Sequence, residues 1–242
     1  MSPKRTLVTT SRVLRQLKHD HRTLGLIFFM PSVLITILYY VFQDSPATFN
    51  GIAPLMLGII PFTMMFIITS VAMLRERTSG TLERLLTSPV TKLELLFGYA
   101  KAFALVALIQ AVIASVVTLW LFDVAIAGSV ASLILVAVLS GVAGMSFGLL
   151  FSAFAKNEFQ AVQFMPAFVL PQFLTCGLFI PREKMAEFLQ YFSDVMPITY
   201  VVKALQEVQT AATWTQELTA SVAITIAFIL VALLLGGASI KK

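Results

Sequence analysis

The sequence predicts an all-α integral membrane protein with six transmembrane helices, an N-terminal amphipathic interfacial helix, and an outer helical hairpin between helices 5 and 6. Hydrophobic residues make up 58% of the 242 residues and charged residues only 12%, about half the charged fraction of an average soluble domain. The charges also leave six uncharged intervals of 21 to 32 residues, which are 23–43, 45–74, 102–122, 124–155, 159–181 and 218–240. A bilayer core about 30 Å thick needs about 20 helical residues, so each interval is long enough for one span. A soluble enzyme of this composition would expose too much apolar surface.

These intervals divide the chain into the successive elements of one membrane domain over residues 1–242. The predicted elements are an amphipathic helix over 9–22, spans over about 23–43, 51–74, 97–122, 128–154, 159–180 and 218–239, and an outer hairpin over 181–217. In the fourth span, Ser140, Gly144 and Gly148 place a small residue at every fourth position, which predicts close helix packing. In the fifth span, Pro166 and Pro171 interrupt the backbone hydrogen bonds, which predicts kinks.

The basic residues predict the orientation of the chain. Six spans place both termini on one side, and that side receives 14 of the 17 Lys and Arg residues. Because basic loops are retained in the cytoplasm, we expect both termini and the loop from Arg75 to Lys101 to be cytoplasmic. The net charge of +5 then reflects topology and contact with lipid headgroups, and no nucleic-acid partner is expected.

The N-terminal segment over residues 9–22 has the pattern of an amphipathic helix. Its basic and apolar side chains fall on opposite arcs at about 100° per residue. The basic ones are Arg12, Arg15, Lys18 and Arg22, and the apolar ones are Val13, Leu14 and Leu17. Such a helix lies in the membrane interface, either as a basic anchor or as an element with a mechanical role. His19 and His21 lie here, but they do not face each other on a helix, so we expect no metal site.

The first cytoplasmic loop is too regular for a simple connector. Residues 81–86 have the pattern of a helical turn after Gly80, and Ser88 and Pro89 suit the N-cap and first position of the third long helix. We therefore expect a tight corner at residues 87–89 that projects from the membrane. A charged corner of this kind suits docking into a partner's groove, and a topological anchor is the alternative.

The outer connection over residues 181–217 predicts two short amphipathic helices. Apolar residues recur at helical spacing on both sides of Pro197, which suits a helix start. We expect these helices to form a hairpin in the outer leaflet. In that hairpin Met185, Phe188, Phe192 and Tyr200 would be buried against the ends of the fifth and sixth spans as a lid. Leaving such side chains in water forgoes about 1.5–3 kcal/mol for each.

The predicted spans contain no acidic or basic side chains at membrane depth. The six uncharged intervals contain no His either, and ion-coupled transporters normally need an ionisable group at membrane depth. No Gly is followed by Lys, which excludes the phosphate-binding loop G-x-x-x-x-G-K-[ST]. The chain is therefore not expected to be an enzyme, and another chain must supply energy for uphill transport. A secondary transporter and a membrane scaffold are the alternatives.

Two stretches together resemble the signature of ABC-2-type permeases, the membrane subunits of ATP-binding-cassette exporters. The first is the cytoplasmic loop ERTSGTLERLLTSPVTKLELLFGYAKA. The second is residues 148–206, with Gly177 to Pro181 in place of the family's G-x-x-F-P turn. Where the family has an N-P-x-x-Y-like motif, this sequence has Met196, Pro197 and Tyr200. Pro197 and Tyr200 match the motif, and Met196 stands where the family often has Asn. The resemblance covers nearly the whole chain. The sequence is similar to the daunorubicin-resistance and multidrug branch of the family.

The resemblance implies the permease subunit of an ABC exporter, with a path for a lipophilic or amphipathic substrate. It implies two cytoplasmic ATPase subunits that hold ATP and Mg²⁺, a second identical or homologous permease, surrounding lipids, and a bacterial inner membrane. A permease for polysaccharides or lipid-linked glycans is the alternative. The ATPase-coupling residues that it implies are Arg75, Glu76, Arg77, Gly80, Thr81, Leu82, Glu83, Arg84, Ser88 and Pro89. Those of the outer hairpin are Pro181, Phe188, Phe192, Pro197 and Tyr200.

Overall fold

A computed structural model describes residues 2–87 and 90–239. Within them, the α-helices are α1 (Pro3–His19), α2 (His21–Val41), α3 (Pro46–Thr78), α4 (Thr81–Thr87), α5 (Lys92–Val116), α6 (Val130–Ser152), α7 (Glu158–Thr175), α8 (Glu187–Asp194), α9 (Pro197–Thr210) and α10 (Gln216–Ser239). A π-helical turn, Val117–Leu121, extends α5, and a 3-10 turn, Arg182–Lys184, lies between α7 and α8.

Among the described residues, five helices are long and apolar enough to cross a membrane. They are α2, α3, α5 with its π-helical extension, α6 and α10. The prediction of an all-helical membrane protein is thus confirmed. The predicted fifth span corresponds to α7, which has only 18 residues and contains one Glu, three Gln and two Pro. A sixth crossing would require α7 to span the membrane.

The predicted boundaries of the amphipathic helix and of the second span need correction. The amphipathic helix α1 covers Pro3–His19 rather than 9–22, because the chain turns at Asp20, which caps α2. The next long helix, α3, covers Pro46–Thr78 and is longer than the predicted 51–74 at both ends. Ser45 precedes α3 and Pro46 occupies its first turn, where the missing N–H has no cost.

Two later boundaries also differ from prediction. The helix expected to begin at Pro89 begins at Lys92 after the N-cap Thr91, and Ser88 and Pro89 lie outside the described residues. Helix α7 ends at residue 175 rather than 180. The cause lies at Gly177, whose φ of 93° is a left-handed conformation that glycine adopts without strain.

The centre of the fold is the contact between α3 and α6. Ser140 donates a hydrogen bond to the carbonyl oxygen of Gly58 at 2.6 Å. A Cβ atom added at Gly144 would collide with the carbonyl group of Phe62, and one at Gly148 would collide with the next turn of α3. The series of small residues is thus the face of α6 that touches the α3 backbone, where larger side chains have no room.

Helix α7 packs on this pair through aromatic rings. The ring centroid of Phe168 lies 5.9 Å from that of Phe66 in α3 and 4.7 Å from that of Phe151 in α6, distances at which aromatic rings attract one another. Pro166 and Pro171 lie inside α7, where each removes one backbone N–H donor from the helix. Ring packing therefore holds a helix that is short of internal hydrogen bonds.

Helix α9 is fixed at the end of the bundle where α3 begins. The N–H groups of Ala127 and Gly128 donate to the carbonyl oxygens of Gln209 and Val208 at 3.0 and 2.9 Å. The side-chain amide of Gln209 donates to the carbonyl oxygen of Asn50 at 2.7 Å. The carbonyls at the C-terminal end of α9 thus find partners in the loop before α6.

A methyl group at Gly144 should separate α3 from α6. The Cβ of Gly144→Ala would collide with Phe62, and overpacking of this kind costs about 1–3 kcal/mol. Gly51→Ala is the matched control, because Gly51 likewise lies within a long helix, α3, but a Cβ added there would meet no atom of another helix within 4 Å. We expect G144A, and not G51A, to lower the apparent melting temperature in detergent. Equal melting temperatures would contradict the close contact.

Candidate functional site at the basic end of the bundle

Six segments meet at one end of the bundle, which we call the basic end. They are α1, the last turns of α3, α4, the first turns of α5, the last turn of α6 and the start of α7. Hydrogen bonds and ion pairs link α1, α3, α5, α6 and α7 to one another here. The basic end contains the coupling residues implied by the sequence, as far as the structure describes them.

Arg12 of α1 joins three helices. Its Nη1 and Nη2 atoms donate to Oε1 and Oε2 of Glu76 at 2.8 and 3.3 Å, and Nη2 also donates to the Tyr99 hydroxyl at 3.3 Å. Glu76 is 7% exposed and Tyr99 is 2% exposed. A buried carboxylate needs a charged partner, which Arg12 supplies through two parallel bonds. The pair therefore fixes α1 to α3 and α5.

Glu94 fixes the beginning of α1 to the beginning of α5. Its two carboxylate oxygens accept from the backbone nitrogens of Ser2 and Thr91 at 2.6 and 2.9 Å. The Thr91 hydroxyl accepts from the Glu94 N–H at 3.2 Å, which completes a capping box. One side chain thus caps α5 and holds α1.

A glycine lets α1 approach α5 closely. A Cβ added at Gly98 would lie 2.5 Å from the Cβ of Thr9, and the Thr10 hydroxyl donates to the Gly98 carbonyl at 3.1 Å. The buried residues of α1 are Thr6, Thr9 and Val13. Val13 belongs to the predicted apolar arc, whose Leu14 and Leu17 also pack on the core. The arc did not indicate the contact with α5 through Thr6 and Thr9.

The chain turns from α1 into α2 at Asp20. Its Oδ1 accepts from the Thr23 N–H at 3.1 Å and its Oδ2 accepts from the Thr23 hydroxyl at 2.6 Å. The hydrogen bonds from Thr23, the side-chain one first, lower the pKa of the Asp20 carboxyl below its ordinary value. The ionised side chain caps α2, where the positive end of the helix dipole favours an anion.

Helix α4 forms the corner between α3 and α5. The chain turns into it at Gly80, whose φ of 70° suits glycine. Within α4, Leu82 is buried at 6% exposure, whereas Glu83 and Arg84 are exposed and Thr81 is half-buried. The half-buried Leu85 also packs against the core. The short helix is thus seated by Leu82 and Leu85 and presents two opposite charges on its outer side.

Two other predicted coupling residues are occupied by contacts within the chain. Arg75 donates from Nε and Nη2 to the two carboxylate oxygens of Glu158 at 2.7 and 3.0 Å. Arg77 donates from Nη1 to the carbonyl oxygen of Ser152 at 2.6 Å, in the last turn of α6, where the helix dipole favours a cation. These arginines therefore connect α3 to α7 and α6.

The opposite end of the bundle differs from the predicted lid. Helices α8 and α9 are present, but Phe188 and Phe192 are 70% and 37% exposed, so the prediction that both are buried against neighbouring spans is wrong for this chain. Met185 is half-buried. The contact instead runs through Ser193, whose hydroxyl donates to the Thr175 carbonyl at 2.9 Å. Because this polar side of α8 faces the bundle, its aromatic side faces outward.

Helix α9 begins at Pro197 without a cap from Met196, which stands where the family often has Asn. Gln172 of α7 takes over part of this role, since its Oε1 accepts from the Ile198 N–H at 3.3 Å. Gln172 is fully buried, so it binds between helices and does not line an open path. Tyr200 is half-buried, and its hydroxyl donates to the Asp194 carbonyl at 2.7 Å.

Several residues that build the basic end were not predicted from the sequence. The spacing of Thr91 and Glu94 is that of a capping box and could have indicated the role of Glu94. No sequence signal pairs Arg12 with Glu76, which lie 64 residues apart, or brings Tyr99 to them. Contacts between separate helices of this kind appear only in the folded chain.

The sequence of this chain matches a known protein family. The family model described as ABC-2 type transporter matches residues 4–210, from α1 to the last turn of α9. The chain belongs to the ABC-2 type transporter family. The resemblance drawn from the cytoplasmic loop and from residues 148–206 is thereby confirmed. ABC-2 proteins of this kind are transmembrane components of transporters and not themselves enzymes.

Individual ABC-2 relatives agree with the family match. The chain is 31% identical over 157 residues to the probable multidrug ABC transporter permease YbhR of Escherichia coli (strain K12), an alignment that covers 65% of this chain and 43% of YbhR. It is 31% identical over 166 residues to the inner membrane transport permease YhhJ of the same strain, covering 68% and 44%. It is 27% identical over 157 residues to ABC transporter G family member 20 of Dictyostelium discoideum, covering 65% and 22%. The matched segment spans less than half the length of each of these relatives.

Glu76→Gln should loosen α1 from the bundle. The amide leaves the Arg12 guanidinium without its counter-charge, and breaking a buried pair costs about 3–5 kcal/mol. We expect the lower end of that range, because 25% of the Arg12 side chain is exposed. Limited proteolysis within residues 3–19 and thermal unfolding in detergent measure the effect.

Glu158→Gln is the matched control for this substitution. It removes the same charge from the pair with Arg75, whose side chains are 61% and 52% exposed, and exposed pairs contribute only about 0–1 kcal/mol. If E76Q and E158Q change protease sensitivity and melting temperature equally, Arg12 and Glu76 do not hold α1.

Proposed function

We propose that this chain is the permease subunit of an ABC exporter and that, with a second permease, it forms the path for a lipophilic or amphipathic substrate. The observation that carries the proposal is α4. It is a short helix seated by buried Leu82, with Glu83 and Arg84 exposed. Its neighbours in α3 are engaged in ion pairs and hydrogen bonds within the chain. A charged corner on a rigid base suits docking of a separate protein, because its charges can steer and orient the partner.

The energy for transport would come from two ATPase subunits that dock at the basic end and hold ATP and Mg²⁺. The sequence supports this division of labour, since no Gly-Lys pair is present to form a phosphate-binding loop. Besides α4, the docking surface would include α1, on which Arg15 and Lys18 are exposed. A movement of the ATPase against α1 would be transmitted to α3 and α5 through the contacts of Arg12 with Glu76 and Tyr99.

We place the basic end in the cytoplasm of a bacterial cell, with both termini on that side and α7 as the fifth of six spans. Helix α7 reaches both ends of the bundle, because Glu158 binds Arg75 at the basic end and Thr175 accepts from Ser193 at the other. Its 18 residues extend about 27 Å at 1.5 Å per residue, close to the bilayer core of about 30 Å. Helices α8 and α9 would then form the hairpin on the outer side.

The proposal of a second permease is supported by large apolar faces that are exposed on α2 and α10. On α2, the exposed fractions of Phe29, Val33 and Tyr40 are 70%, 47% and 64%, and on α10 those of Leu230 and Leu234 are 48% and 62%. Lipid would cover part of these faces and a second permease the rest. The relative YbhR is named a probable multidrug permease, and similarity to it supports a lipophilic or amphipathic substrate for this chain.

Cysteine labelling tests the orientation. Thr87 in α4 and Thr213 before α10 are both exposed, and the native Cys176 is 1% exposed, so it gives a low background. We expect a membrane-impermeant maleimide to label Thr213→Cys in intact cells and Thr87→Cys only after permeabilisation. The opposite order of labelling would reverse the proposed topology.

Charge reversal at α4 tests the docking surface. Glu83→Lys and Arg84→Glu should each weaken assembly with the ATPase about tenfold, or about 1.4 kcal/mol, because an interface built around one charge repels its opposite. Glu187→Lys is the control, since Glu187 is exposed on α8 at the other end. Co-purification and substrate-stimulated ATP hydrolysis are the measurements. Wild-type yield and activity in both α4 variants would mean that the corner is only a topological anchor.

A further inference from the structure

A polar cleft of about 550 Å³ lies at the end of the bundle opposite the basic end. Its walls come from the turn after α7, from α9 and from the first turns of α10. Two of the predicted outer-hairpin residues, Pro181 and Tyr200, line the cleft. None of the contacts that build the basic end involves this cleft, so it needs a separate explanation.

Arg182 is held rigidly at one wall. Its Nη2 donates to the carbonyl oxygen of Gln190 at 3.2 Å and forms an ion pair with Asp194. Gly177 gives its side chain room, because a Cβ there would lie 3.3 Å from the Arg182 Cγ. The Arg182 Nε is buried and has no hydrogen-bond partner among the described residues. The guanidinium is thus fixed by contacts on the protein side, and Arg182 lines the cleft as one of its two cations.

Lys203 is a second cation in the cleft and lies on α9. Its Nζ stands 5.4 Å from the centroid of the Tyr200 ring, and within the described part of the chain no carboxylate lies within 4.0 Å of it. Burial, and then the nearby Arg182, lowers the pKa of the Lys203 amine. Lys203 thus faces the cleft without an anion at contact distance.

Three carboxylates line other parts of the same cleft. Glu207 is half-buried and accepts from the Thr215 hydroxyl at 2.7 Å. Glu183 and Glu217 are exposed and, among the described residues, form no ion pair. They influence Lys203 through space without touching it. The cleft therefore holds opposite charges that are close but separated by a gap.

We propose that this cleft binds the zwitterionic headgroup of a membrane lipid, an aminoalkyl phosphate of the phosphoethanolamine type. The phosphate would lie between Lys203 and Arg182, the two cationic side chains that line the cleft. The ammonium group would donate to Glu217 and Glu183. A ligand that carries both charges fills the gap that keeps these side chains from pairing, whereas a purely anionic headgroup would face three carboxylates.

The surface beside the cleft favours a lipid over a soluble zwitterion. Ile224, at the edge of the cleft, begins a series at helical spacing on α10 that continues through Phe228, Val231 and Leu235. Ile224, Val231 and Leu235 are 36%, 53% and 52% exposed. An acyl chain attached to the bound headgroup would lie along this stripe, since α10 is long and apolar enough to cross the membrane.

Native mass spectrometry of the full chain in detergent tests the proposal with defined lipids. We expect phosphatidylethanolamine to be retained about tenfold more tightly than phosphatidylglycerol, and Lys203→Gln or Glu217→Gln each to weaken its binding about tenfold, the size expected for one charge-assisted hydrogen bond. Lys184→Gln and Glu187→Gln are matched controls, because both residues are exposed at the same end but do not line the cleft. We expect these controls to bind like the wild type.

Several results would overturn the proposal. One is equal retention of the two lipids, and another is a preference that survives in both cleft variants. Phosphatidylcholine should bind more weakly, because its trimethylated ammonium cannot donate hydrogen bonds to Glu217; equal binding would contradict the assigned carboxylates. If soluble glycerophosphoethanolamine binds as tightly as the lipid, the α10 stripe contributes nothing and the lipid assignment is wrong. No ATPase is present in these measurements, so their outcome is independent of the proposed transport function.

Discussion

The close contact between the backbones of α3 and α6 is the constraint on which the rest of the structure depends. In a bilayer, apolar side chains gain little by leaving lipid for protein, so helices associate through close packing and polar contacts. Gly144 and Gly148 remove the side chains that would keep α6 away from α3, and Ser140 adds a hydrogen bond to Gly58. The aromatic rings of α7 pack on the surface that this pair creates. Substantial displacement of α6 would therefore move α7 as well.

The two ends of the bundle are held by different chemistry. At the basic end, ionised groups join separate helices, as in the contacts of Arg12 with Glu76 and of Arg75 with Glu158. At the other end, α9 is held largely by neutral groups, among them the carbonyls of Gln209 and Val208 and the amide of Gln172. An ion pair resists separation when it is largely buried, as the pair of Arg12 with Glu76 is. Neutral hydrogen bonds are weaker, and among the described residues Lys203, Glu183 and Glu217 at this end form no ion pair.

The position of α4 depends both on the packing of α3 against α6 and on the polar contacts of the basic end. Its seat is Leu82, and its position is set by the last turns of α3, which α6 and α7 hold through Arg77 and Arg75. Helix α1 approaches from the side and is bound to the same turns through Glu76. A push on α4 or α1 would therefore meet one connected block of helices. If a protein docks at the basic end as proposed, this connection would couple it to the membrane helices.

The sequence by itself determined the helical membrane class, the small-residue face of α6 and the family, because uncharged intervals, Gly spacing and loop motifs are local properties of the chain. It also located the charged loop that contains α4. Only the tertiary structure decided that Glu76 is bound by Arg12, that α1 packs through threonines, and that Phe188 faces outward. The reason is that each of these depends on which helices become neighbours. Side chains 64 residues apart in sequence leave no periodic signal of their contact, and an amphipathic pattern does not tell which surface will receive its apolar face.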